Sequence, residues 1–118
     1  MDELLDRLVA NVGVDRAVAE KAVGIILAFL LKEGPSDKVQ ELISMMPGAD
    51  AAVQSAGGEG GFGMGGIMGV GTKLMAAGLD MDQMQAVTRE LIGYSREKAG
   101  EDTVGEIVGS IPGLGQFI

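Results

Sequence analysis

Apolar residues recur along this chain with the three-to-four spacing of helices. Leu4, Leu5, Leu8, Val9 and Val12 form one stripe behind Asp2, and Gly13 closes it. Val14 and Asp15 then open a second segment, from Arg16 to about Glu33, with Asp15 as cap and Val14 placed to staple against Ala19. Residues 22–31 carry no charge and are apolar almost throughout, so this helix is expected to run through the centre of the molecule. Gly34-Pro35 stops it. A third helix is expected from Ser36 or Asp37, with Val39, Leu42, Ile43 and Met46 facing inward and Pro47-Gly48 as the turn after it.

The plan then recurs. Gly78-Leu79-Asp80 matches Gly13-Val14-Asp15, and Asp80 with Gln83 makes a capping-box pattern with Leu79 set to staple against Met84. That helix is expected to reach about Lys98, with Met84, Val87, Leu91 and Tyr94 on one face and Gly100 at its end. Asp102 starts the last helix, with Val104, Ile107, Val108 and Ile111 inward, and Pro112-Gly113 closes it. A constant offset of 65 residues aligns 9–53 with 74–118 without a gap. The identities include Gly13/Gly78, Asp15/Asp80, Asp37/Asp102, Val39/Val104 and Pro47/Pro112, which fall at caps, stops and stripe positions. The expected fold is therefore all-α: a single helical domain of two pseudo-symmetric repeats, each a long helix plus a short one, at about 2–53 and 74–118.

The signature resembles that of the uncharacterised bacterial helical proteins labelled VcgC/VcgE. It is carried by Gly13-Val14-Asp15 leading into 22–31 and by Leu42-Ile43-Ser44-Met45-Met46-Pro47-Gly48. It continues in Ala77-Gly78-Leu79-Asp80-Met81 and Leu91-Ile92-Gly93-Tyr94. The similarity runs from about Leu8 to Leu114. It implies a helical-repeat fold, brings no catalytic residues, and leaves envelope association open.

Between the repeats, residues 57–71 are dominated by glycine, a poor helix and strand former, and are expected to be a joint without regular structure. Phe62, Met64, Ile67, Met68 and Val70 are unusual for a linker; they either fold back onto the core or bind something. With Phe117 of the tail they make the candidate interaction surface.

Composition narrows the chemistry. Aromatic residues are 3% of the chain, so the core must be aliphatic. The net charge is −8, with the basic residues dispersed, which argues against nucleic acid and against an anionic membrane. There is no Cys and no His, so Ser-His-Asp, Cys-His and the usual zinc sites cannot be built. The acidic start, Met1-Asp2-Glu3, is unlike a secretory signal, and residues 22–31 would cover only ~15 Å as a helix, about half a bilayer core. A cytoplasmic location is expected.

Several motifs invite chemistry. Residues 61–66 fit G-x-G-x-x-G, but a dinucleotide site needs a preceding strand, and 49–56 read as helix or loop. Residues 66–73 approach a P-loop but end Gly-Thr-Lys, which puts the cation and hydroxyl in the wrong order. Gly57, Gly61, Gly65 and Gly69 share a four-residue spacing that suits close helix packing in lipid. Met64, Met68, Met75, Met81 and Met84 suggest Cu(I) or, more simply, an adaptable apolar surface. Asp80 and Asp82, or Glu101 and Asp102, are acidic pairs whose members already have helix-capping work. No cofactor or metal is expected, and no catalytic residue. The expectation is a non-catalytic module acting through an unknown protein partner or self-association, with a lipid-associated role for the glycine- and methionine-rich segment as the alternative.

Overall fold

The structure is a computed structural model that describes residues 2–46, 48–55 and 66–111, with backbone alone at 55 and 66–68. Among the described residues there are seven helices and no strand. They are α1 (Asp2–Val12), α2 (Arg16–Glu33), α3 (Ser36–Ser44), α4 (Ala49–Ser55), α5 (Gly66–Ala76), α6 (Met81–Ala99) and α7 (Glu101–Ser110). The Cα radius of gyration is 12.5 Å, close to the ~13 Å of a compact chain this long.

The centre is α2. Every residue from Ala22 to Leu30 is buried, so it offers an apolar surface on all sides and is overlaid by α1, α3, α4, α5 and α6. The other helices bury stripes: Leu4, Leu5 and Leu8 on α1; Val39, Leu42 and Ile43 on α3; Met84, Val87 and Leu91 on α6; Val104 and Ile107 on α7. Val9, expected in the α1 stripe, is 40% exposed, because the buried face of α1 is centred on Leu4 and Leu8 and leaves Val9 at its edge. Two buried hydroxyls on α6, Thr88 and Ser95, donate to carbonyls one turn back, Met84 O at 2.8 Å and Leu91 O at 2.7 Å, which satisfies them inside an apolar environment.

The helix ends follow the expected stops, with exceptions at the caps. Gly13, Gly78 and Gly100 all take positive φ. The Asp80 carboxylate accepts from Gln83 N–H at 2.8 Å while Gln83 Oε1 accepts from Asp80 N–H at 3.1 Å, a complete capping box. Asp15 sits at the equivalent place with extended backbone but makes no side-chain cap bond, so its expected cap is absent. Asp102 does not cap either: α7 begins one residue earlier, with Gly100 at the cap position, and Asp102 in the first turn instead complements the helix dipole.

The expected joint is shorter than the glycine count implies. Gly66–Gly71 belong to α5, and the isolated glycine penalty of ~1 kcal/mol is outweighed because Val70 and Leu74, one turn apart, are buried against the core. The helix bounds keep the 65-residue offset to within one residue: α1, α2 and α3 fall opposite α5, α6 and α7. Buried positions coincide too, at Val14/Leu79, Ile26/Leu91, Phe29/Tyr94, Leu42/Ile107 and Met46/Ile111.

The packing across the molecule is reciprocal. α1 lies on α6 and α5 lies on α2, while α2 meets α6 and α3 meets α7.

Candidate functional site

The corner between α5 and α6 combines a fixed backbone with exposed apolar side chains. Gly78, at φ +107, lets the chain reverse. Leu79 N–H donates to Leu74 O at 3.2 Å and Gly78 N–H to Met75 O at 3.0 Å, which closes the end of α5 as a Schellman turn. The capping box at Asp80 then closes the start of α6. Leu79 points into the core, so the turn is anchored from below.

On this frame Met75 is 60% and Met81 69% exposed, the two most exposed large apolar side chains among the described residues. They flank a surface depression of about 500 Å³ lined also by Gly78, Leu79, Asp80 and Gln83. Thioether side chains are unbranched and polarizable, so such a pair adapts to an apolar partner while the backbone stays fixed.

The equivalent corner between α1 and α2 has a different chemistry. At the 65-residue offset, Met81 falls opposite Arg16 and Met75 opposite Ala10. Arg16 donates to Asp6 Oδ1 and Asp2 Oδ1, both at 2.7 Å, and so ties the start of α2 to α1. Arg7 donates twice to Glu97, at 2.8 and 3.0 Å, and to Glu3 at 3.2 Å, joining α1 to α6. The Arg7 hydrogen bonds hold the Glu97 carboxylate below its ordinary pKa, and the same contact raises the guanidinium. Positions 2 and 6 correspond to Ile67 and Gly71, which carry no carboxylate to meet a cation, and position 7 to Thr72.

A larger open cleft of about 650 Å³ lies beside the α1 clamp, lined by Asp2, Glu3, Leu5, Arg16, Glu20, Tyr94 and Lys98 among others. Its charges largely serve one another. Arg16 pairs with Asp2, Glu3 with Arg7, and the Lys98 ammonium sits 5.4 Å from the centroid of the Tyr94 ring. Among the described residues no cluster of three carboxylates is placed to hold a metal ion. No described helix is long and apolar enough to cross a membrane.

Of the sequence-derived contact residues, Val70 is packed in the core at 4% exposure and so contributes stability rather than surface. Ile67 and Met68 lie on α5, but their side chains are outside the described residues, as are Phe62, Met64 and Phe117 altogether. The motif at 61–66 lies outside them except for Gly66. The P-loop-like stretch at 66–73 is helical, which commits its later backbone N–H groups to helix bonds rather than to a phosphate. Met75 and Met81 were not separable from the other methionines by composition; the signal that isolates them is the comparison with Ala10 and Arg16.

No protein-family model, no curated protein and no solved structure matches this chain.

Proposed function

We propose that the protein is a non-catalytic, cytoplasmic helical module that acts through protein–protein contact, with the α5–α6 corner as its contact surface. In this reading the chain is built from two related three-helix units, in keeping with its resemblance to the VcgC/VcgE proteins, and the second unit has diverged for binding. The observation that carries the reading is the pair Met75 and Met81, held out on a fully hydrogen-bonded corner where the first unit has Ala10 and an ion-paired Arg16. An acidic chain that leaves two thioether side chains exposed at a hydrogen-bonded corner offers a partner apolar contact there, bordered by the Asp80 and Asp82 carboxylates.

The matched corners supply the control. A photo-crosslinking residue at Asp82, exposed beside Met81, is expected to capture a partner in cells, whereas the same residue at Ala17, its exposed equivalent, is not. Met75→Glu with Met81→Glu should abolish the product while leaving the helical signal intact. Equal crosslinking from both corners, or none from either, contradicts the proposal.

A second reading has one observation in its favour: α5 is apolar, with no acidic residue and a single cation, Lys73. It would serve a lipid surface. Co-sedimentation with neutral liposomes, lost in the Met75→Glu, Met81→Glu variant, would replace the protein partner with a membrane.

A further inference from the structure

We propose that the interface between the two halves of this molecule is one that a second copy of the chain can supply, so that two chains exchange halves when the connection within one chain is too short to close it. This rests on the packing across the molecule and not on the methionine corner. Residues 2–55 carry α1 to α4 and residues 66–111 carry α5 to α7. The contacts that join the halves include α1 on α6, α5 on α2, α2 on α6 and α3 on α7, which are reciprocal under the 65-residue offset; α3 also touches α6. An interface of that form is the one two identical three-helix chains make about a two-fold axis: each presents the same patch, and each first helix lies on the partner's second.

Polar contacts cross the same boundary. Arg7 meets Glu97, Asn11 donates to Glu90 at 3.4 Å, and Lys38 lies 3.4 Å from Glu106. All of them, with the apolar contacts beneath, can form equally well between chains. Covalently, the halves are joined only through residues 56–65. A tether that short gives the intramolecular pairing an effective concentration on the order of millimolar, so the single-chain form wins at micromolar concentration. Which chain supplies the second half is thus decided by the tether rather than by the interface.

Deleting 56–65 from the full chain tests this. Ser55 would then be bonded directly to Gly66. α4 and α5 each pack on α2 as separate helices, whereas consecutive Cα atoms are ~3.8 Å apart, so a direct join leaves no turn between them. The deleted chain is expected to have twice the monomer mass by light scattering, with wild-type helicity per residue. A photo-crosslinker at Asn11, which faces Glu90, should give a covalent dimer in the deleted chain and an internal crosslink in the parent. A folded monomer, a chain that loses its helical signal, or a dimer crosslinked only within each chain would each overturn the proposal.

Discussion

At the scale of single residues, Gly34 and Gly105 have opposite roles. A Cβ on Gly34 would stand 2.8 Å from the Leu30 carbonyl oxygen and 3.2 Å from Ile111 Cδ1, so the turn between α2 and α3 closes only because the side chain is missing. Gly34→Ala is expected to cost about 1–3 kcal/mol in denaturant unfolding, the usual penalty for forcing atoms into a packed site. On α7, Gly105 and Gly109 face open space, and alanine there should instead stabilise by about 0.5–1 kcal/mol each. The two Asp caps make a second contrast. Asp80→Ala removes a capping box and should cost about 1 kcal/mol, while Asp15→Ala removes no hydrogen bond and should cost clearly less. Equal losses at the two positions would show that the cap geometry does not govern these helix starts. The sequence marks both aspartates as caps but only Asp80 as half of a box: Gln83 offers a side-chain acceptor to Asp80 N–H, and Val18 offers none to Asp15 N–H.

At the scale of elements, α2, α3, α6 and α7 could be read from their stripes and stops because each has an unbroken apolar face and a glycine or proline at its end. α5 could not. Its sequence, GIMGVGTKLMA, has three glycines in its first six positions, and the burial of Val70 and Leu74 beside α2 makes the helix favourable. Tertiary packing is not encoded in local propensity, so the glycine count pointed to a loop. The sequence leaves α4 open between helix and loop for a related reason: Ala49, Ala52 and Val53 are small, and their burial depends on α2 being apolar on every side.

The α1–α6 pairing has a charge signature that can be measured. Glu97 has a folded-state pKa below its ordinary 4.5 because it accepts from Arg7. Its contribution to stability is therefore fully present above the ordinary value and is lost as pH falls through the lower folded one. The stability difference between the parent and Arg7→Ala should accordingly narrow as pH drops below 4.5. A gap that stays constant with pH would mean that Arg7 acts through packing over Tyr94, whose centroid lies 5.6 Å from its guanidinium carbon.

At the scale of the whole molecule, an aliphatic core with few aromatic residues is assembled by wrapping one all-round apolar helix, α2, in amphipathic ones, with each half lending its first helix to the other. The all-α class was legible because stops, caps and stripes mark each helix. The exposure of Met75 and Met81 was not legible, because they differ from the buried Met84 only in which way the folded helices turn them. Without His or Cys, Ser-His-Asp and Cys-His arrangements cannot be built. The most direct measurement is a set of methyl NOEs in solution between α1 and α6, α2 and α5, and α3 and α7. The account predicts all three sets from one folded species. NOEs confined within 2–55 and within 66–111 would contradict it.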